Sequence, residues 1–108
     1  MTAPPVELLY WDGCPSHPEA LADLRAALAE LGRGDLEVAV RRIDDDAAAE
    51  AEGFVGSPTI RVAGTDAFPP AHDEPPGLAC RVYRLADGRF SPTPDPGELR
   101  AALARLLG

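Results

Sequence analysis

Residues 6–17 read VELLYWDGCPSH and place a short apolar run just ahead of a cysteine. The run from Val6 to Tyr10 ends at Trp11-Asp12-Gly13, which is typical of a buried strand that leads into a turn. Behind the cysteine, leucines recur at intervals of three and four residues and predict one apolar helix face; they are Leu21, Leu24, Leu28 and Leu31. The stretch therefore predicts a strand, a loop that carries Cys14, and a helix that ends at Gly32 and Gly34.

The rest of the chain continues this alternation. Leu36 to Ile43 alternates as a strand, and Asp44 to Asp46 then supply the negative charge that a short helix closed by Gly53 favours at its start. Two further strands are predicted at Thr59–Ala63 and Cys80–Leu85, separated by a proline-rich loop over residues 64–79. The last helix is predicted to begin after Asp95 as the N-cap.

The predicted order is βαβαββα, an α/β fold. A strand–helix–strand opening forms a right-handed crossover with its two strands parallel, and the two later strands are expected to pair as an antiparallel hairpin. The first strand is apolar on both sides, which indicates helices on both faces of the sheet. We therefore expect a four-stranded mixed sheet covered on both faces.

Length and charge limit the possible partners. The 108 residues fit one domain over residues 1–108, and a net charge of −8 disfavours binding to nucleic-acid backbones. No apolar run reaches the roughly 20 residues of a membrane span, and the N-terminus lacks signal-peptide features. We expect a cytoplasmic protein without nucleic-acid or membrane partners, and no cofactor, because a phosphate-binding glycine motif is lacking.

The loop cysteine has a location that can activate it. A thiol beside a helix N-terminus is near unpaired N–H groups and a positive dipole end, which favour thiolate. How far the helix lowers the pKa of the Cys14 thiol depends on whether it begins at Cys14 or at the capping box that starts at Ser16. His17 follows three residues later, so it is either a partner of the thiol or a polar surface residue.

Three sequence blocks together resemble the thioredoxin-like superfamily. They are Gly13–His17, Gly56–Ile60 and Gly77–Tyr83, and in this order they are similar to small bacterial thioredoxin family proteins, some of which are labelled alkylmercury lyase-like. The resemblance covers nearly the whole chain. It implies a single thioredoxin-like domain.

The resemblance also implies roles for individual residues. Cys14 matches the nucleophilic cysteine and Pro58 the cis-proline that faces it, whereas the residues alone leave an ordinary trans proline open. The backbone of Ser57 would pair with an extended thiol substrate, with Trp11 and Thr59 also beside it. The substrate would be a small thiol or a mixed disulfide, on a small molecule or a protein.

One departure from the family pattern concerns the second thiol. Dithiol thioredoxins carry a second cysteine where this chain has His17, and a nearby second thiol is what resolves a mixed disulfide. A monothiol route through Cys14 is therefore expected, resolved by Cys80, by an external thiol, or not at all. As the first residue of a plain hairpin strand, Cys80 would lie beyond disulfide reach of Cys14, and only another strand register or a mobile loop would bring the two thiols together. Because cysteine is among the most commonly buried residues, Cys80 is expected to be a packed structural thiol.

Three functions remain open at this point. One is thiol–disulfide oxidoreductase-like chemistry through Cys14 and His17, and another is soft-metal or organomercurial binding by Cys14, Cys80 and His17. The third is a catalytically silent binding module. His72, with Asp73 and Glu74, either joins a site or belongs to a solvated loop.

Overall fold

A computed structural model describes residues 6–70 and 74–108 and shows an α/β architecture with one four-stranded mixed sheet. The elements in chain order are β1 (Val6–Tyr10), α1 (His17–Glu30), β2 (Val38–Arg42), α2 (Asp46–Glu52), β3 (Thr59–Val62), β4 (Thr65–Asp66), β5 (Tyr83–Arg84), β6 (Phe90–Ser91) and α3 (Pro96–Leu107). The strand order is β2-β1-β3-β4, in which β1 is parallel to β2 and antiparallel to β3. The expected parallel opening and mixed sheet are confirmed.

Side chains of β1 alternate between two apolar clusters, as the pleat of a strand requires. Val6 and Leu8 face the larger cluster, whereas Leu9 faces the smaller one. The larger cluster includes buried leucines of α1 and α3, namely Leu24, Leu28, Leu99 and Leu103. The smaller one contains Ala49 of α2 with Ile43 and Phe54. Helices thus cover both faces of the sheet, as predicted.

Two predicted helix starts form as expected. The Asp45 side chain accepts a hydrogen bond from the Ala48 amide at 2.7 Å, and Asp95 accepts one from the Glu98 amide at 3.0 Å. Each bond satisfies an amide that has no partner within its helix. The acidic residues ahead of α2 therefore act, at least through Asp45, as a helix cap.

The predicted pairing in the second half of the chain is wrong. Ala63 and Gly64 both have positive φ, 52° and 82°, and join β3 to β4 as a two-residue hairpin. Because of this turn, residues 65–66 pair with the edge of β3 as strand β4, although they lie in the region predicted to be an irregular loop. The segment predicted as the fourth strand instead contributes β5, which pairs with β6 in a separate two-stranded sheet.

None of the helices described within residues 6–70 and 74–108 has both the length and the apolar character needed to cross a membrane.

Candidate functional site

Cys14 lies in the turn between β1 and α1. Its amide donates to the Trp11 carbonyl at 3.0 Å, and its side chain is only 2% exposed. The helix begins at His17 with Ser16 as the N-cap, so Cys14 lies two residues outside the cap. Of the two helix starts left open by the sequence, the later one occurs, and Cys14 gains less from the helix dipole because that effect is confined to the first turn.

Ser16 does not form the predicted capping box. Its side chain makes no cap hydrogen bond, and its hydroxyl oxygen lies 3.4 Å from the Cys14 sulfur. A serine at this position ordinarily stabilises the helix start by accepting a bond from a first-turn amide. Here the hydroxyl contacts the thiol instead, so it can donate to a thiolate.

Ser57 lies on the other side of the Cys14 thiol. The Ser57–Pro58 peptide bond is cis, as the resemblance implies, and the Cys14 thiol donates to the Ser57 carbonyl at 3.6 Å. Ser57 is fully buried, and its hydroxyl has no hydrogen-bond partner within the part of the chain that the structure describes. An unpaired buried hydroxyl is costly, and this one lies beside the only buried thiol among the described residues.

Cys80 lies opposite Ser57, contrary to the hairpin expectation. The Ser57 amide donates to the Ala79 carbonyl at 2.8 Å and the Arg81 amide donates to the Ser57 carbonyl at 2.7 Å, which forms a parallel bridge between Ser57 and Cys80. We call residues 79–81 the bridging segment. Cys80 is also exposed rather than packed, so both expectations for this residue were wrong. The physical reason is that β4 already occupies the edge of β3 where the hairpin was expected.

Arg81 holds the bridging segment on the sheet. Its guanidinium forms an ion pair with Asp66 at 2.9 Å, and the two side chains are 9% and 19% exposed. The same group donates to the Phe68 carbonyl and, at 3.3 Å, to the Thr59 hydroxyl. It also lies 4.8 Å from the ring centre of Tyr83.

Tyr83 provides a second anchor. Its hydroxyl donates to the Pro58 carbonyl, and burial raises its pKa, so the group stays protonated and remains a donor. Sequence analysis did not identify Arg81 or Tyr83. Their spacing of two residues in a predicted strand placed them on one face, but Asp66 lay in a predicted loop and offered no visible partner.

The surroundings of the two thiols favour one negative charge, held on Cys14. Burial opposes ionisation of Cys14, but hydrogen bonds from the side chains of Cys80 and Ser16 and from the Ser16 amide, together with the nearby unpaired hydroxyl of Ser57, lower its pKa overall. The hydrogen bond with Cys14 raises the pKa of Cys80, and burial and the charge on Cys14 act in the same direction. Once Cys14 loses the proton that it donates to the Ser57 carbonyl, the Cys80 thiol can donate to the resulting thiolate.

His17 does not face the sulfur, which corrects the expected pairing. Its ring stacks on Tyr10 with centres 4.1 Å apart, and Nδ1 lies 3.3 Å from the Cys14 carbonyl oxygen. Side chains in a helix point back towards its N-terminus, and His17 is the first helical residue, so its ring reaches the end of β1. Its contacts are with the backbone of the cysteine turn.

Trp11 and Thr59 have packing contacts that explain their positions. Trp11 packs on the smaller apolar cluster, and its indole lies so close to Gly13 that a Cβ added to Gly13 would be 2.3 Å from a ring carbon. Thr59 is buried, and its hydroxyl donates to the Gly56 carbonyl at 2.6 Å. Substrate contact by either residue stays a prediction.

Metal ligands are sparse around the thiols. Across residues 6–70 and 74–108, no cluster brings three or more His, Cys, Asp or Glu side chains together. His72 and Asp73 lie outside the described residues, and Glu74 lines a groove beside the bridging segment.

Comparison with protein-family models, with curated proteins and with solved structures finds no match for this chain.

Replacing Ser57 with alanine is expected to raise the pKa of Cys14, because it removes a hydroxyl that stabilises the thiolate. His17→Ala is expected to leave that pKa almost unchanged, since the ring contacts Tyr10 and a carbonyl and not the sulfur. The ultraviolet absorbance of thiolate, followed against pH, measures both. Ser91→Ala, which removes a hydroxyl that accepts from the Thr93 amide, is the matched control. A larger shift in the pKa of Cys14 in His17→Ala than in Ser57→Ala would contradict the assignment.

Proposed function

We propose that the chain is a thioredoxin-like domain that carries out thiol–disulfide exchange with two thiols, Cys14 and Cys80. The observation that carries the proposal is the backbone bridge between Ser57 and Cys80, because the Ser57 carbonyl in this bridge is also the group that the Cys14 thiol contacts. The strand–loop–helix setting of Cys14 supports the same function. A reducing, cytoplasmic compartment would keep both thiols available.

The two thiols supply both halves of an exchange cycle. One thiolate attacks a disulfide, so that a bond forms between the protein sulfur and one substrate sulfur while the other substrate sulfur leaves as thiolate. The second protein thiolate then attacks the mixed disulfide, which forms Cys14–Cys80 and releases the second substrate thiolate. The protein loses two electrons and the one proton of its thiol–thiolate pair, and the substrate disulfide takes up both, with a second proton from water, to leave as two thiols.

The second thiol distinguishes this proposal from the monothiol route expected from the motif. In the family pattern the resolving cysteine stands one helical turn after the first, where this chain has His17. Here the second thiol of the pair would be Cys80, which the bridging segment carries to the same peptide unit that contacts Cys14. An external thiol is then not needed to complete the cycle.

The test is a redox titration in dithiothreitol buffers of graded oxidation, read by intact-mass spectrometry. We expect a two-electron transition to a form two protons lighter, with a peptide map that joins Cys14 to Cys80. Cys14→Ser and Cys80→Ser are the controls, and each is expected to show only a mixed disulfide with the buffer thiol.

Two outcomes would contradict the exchange function. Independent mixed disulfides on both cysteines of the wild type, without the internal bond, would show that the thiols do not act as a pair. A chain that binds one Hg²⁺ through both sulfurs but forms no internal disulfide would instead favour soft-metal binding, the second candidate, which the same pairing of thiols supports.

A further inference from the structure

The backbone groups of Ser57 are already paired within the chain. Its amide donates to the Ala79 carbonyl at 2.8 Å and its carbonyl accepts from the Arg81 amide at 2.7 Å. An extended peptide that bound by strand addition beside Pro58 would need these same two groups. The bridging segment therefore occupies the position that such a peptide would take.

Several contacts keep the bridging segment in that position. Arg81 is held by its ion pair with Asp66, and the backbone of Gly56 lies so close to Arg81 that an added Cβ would stand 3.0 Å from the arginine Cβ. Displacing the segment would separate a largely buried ion pair, which is costly because both charges lose their partner. Strand exchange with an incoming peptide is correspondingly unfavourable.

Access to the two sulfurs is unequal. Cys14 is 2% exposed, whereas Cys80 is exposed and lines a groove of about 630 Å³. Many of the side chains that line the groove are apolar or cyclic, among them Phe68, Pro69, Pro75 and Val82, and its charged lining residues are Glu74, Arg81 and Arg84. Its volume lies within the roughly 300–1,000 Å³ typical of small-molecule sites.

We propose that the substrate is a low-molecular-weight disulfide that occupies this groove and reacts first at Cys80, and that extended peptide disulfides are excluded. The proposal rests on the exchange function above and narrows its substrate class. Bond by bond, the Cys80 proton moves to the Cys14 thiolate, and the Cys80 sulfur attacks the substrate disulfide and displaces one thiolate. That thiolate takes the proton from Cys14, and the regenerated Cys14 thiolate attacks the Cys80 sulfur to release the second.

The test compares two activated disulfides that share 5-thio-2-nitrobenzoate as leaving group, one made with 2-mercaptoethanol and one with an extended peptide carrying a central cysteine. Each rate is divided by the rate of free glutathione with the same probe, which cancels the intrinsic reactivity of the probe. We expect this ratio to be about tenfold or more lower for the peptide, because the groove admits the small probe, whereas the bridging segment fills the position beside Ser57 that an extended peptide would need.

A matched pair of variants tests the groove itself. Val82 lines the groove and is 63% exposed, so Val82→Trp fills it from a surface position and is expected to slow the 2-mercaptoethanol probe severalfold. Val40, 43% exposed on β2, provides the control, because Val40→Trp leaves the groove open.

The outcomes separate the two proposals. The small-substrate inference would be overturned if the rate relative to free glutathione were the same for both probes, or if Val82→Trp reacted with the 2-mercaptoethanol probe as fast as the wild type. Either result would leave thiol–disulfide exchange intact. Failure of the wild type to react with either probe and to form the Cys14–Cys80 bond would overturn the exchange function, and the substrate inference with it.

Discussion

Replacing Arg81 with methionine is expected to lower the free energy of unfolding by about 3 kcal/mol, because removing one partner of a largely buried ion pair leaves the other charge uncompensated. The charge left behind is that of Asp66, whose side chain is 19% exposed. Methionine keeps much of the aliphatic length of arginine, so the loss is mainly one of charge and hydrogen bonds, including those to Phe68 and Thr59. Urea unfolding of the reduced protein measures the effect.

Arg89→Met is the matched control. Arg89 pairs with Asp87 at 2.6 Å, but the two side chains are 75% and 53% exposed. Exposed pairs contribute little, so this variant is expected to stay within about 0.5 kcal/mol of the wild type. Equal losses in the two variants would contradict the role given to Arg81. The Arg81 variant is also expected to raise the pKa of Cys14, because Cys80 is no longer held beside it.

Replacing Gly56 with alanine is expected to cost about 3 kcal/mol, from the strained backbone together with overpacking against Arg81. Gly56 has φ of 146°, a conformation that residues with a side chain rarely adopt. Its added Cβ would lie 3.0 Å from Arg81 Cβ and 3.2 Å from Arg81 Cα and N, and the contacted backbone cannot swing away as a flexible side-chain end can. The bridging segment must therefore shift, and the yield of the Cys14–Cys80 disulfide is expected to fall.

Gly64→Ala separates strain from contact. Gly64 also has positive φ, 82°, but nothing lies within 4 Å of an added Cβ. A cost of about 1 kcal/mol is expected from the left-handed backbone alone, with no change in disulfide yield. Unfolding in urea and mass spectrometry of the oxidised proteins give both quantities. A disulfide yield in Gly56→Ala equal to that in Gly64→Ala would show that the close approach to Arg81 does not position Cys80.

The first half of the fold was predictable because its signals are local. The strand over Val6–Tyr10 and the leucine spacing of α1 depend on patterns within a few residues, and so does the cap at Asp95. Both helix faces follow from the same periodicity. The order of β1 and β2 then follows from the handedness of a strand–helix–strand unit.

The second half was not predictable in the same way because its pairing is decided by contacts between distant residues. Ala63-Gly64 makes a tight hairpin without the Asn-Gly or Asp-Gly pair that signals one, so β4 was missed. The location of residues 80–85 depends on the ion pair between Arg81 and Asp66 and on the bond from Tyr83 to Pro58. Neither contact can be predicted from the pattern of neighbouring residues in the sequence.

The candidate site was likewise predictable only where its signals are local. The loop around Cys14 and the turn at Ser57 and Pro58 were identified from short motifs, but the motif gave no position for Cys80. The prediction for His17 failed because it was based on spacing alone, which put this residue one helical turn from Cys14. His17 is in fact the first residue of α1, and its ring stacks on Tyr10. The motifs indicated which residues belong to the candidate site, but they did not indicate which atoms those residues contact.

The bridge between Ser57 and Cys80 has a kinetic consequence. A thiol held on a fixed strand acts at an effective concentration set by the geometry of the chain, not by the thiol pool of the surrounding solution. In the proposed exchange, a mixed disulfide at Cys80 would then be resolved at the same rate whether external thiols are scarce or abundant. The ion pair that fixes Arg81 would thereby govern how long the captured substrate stays attached.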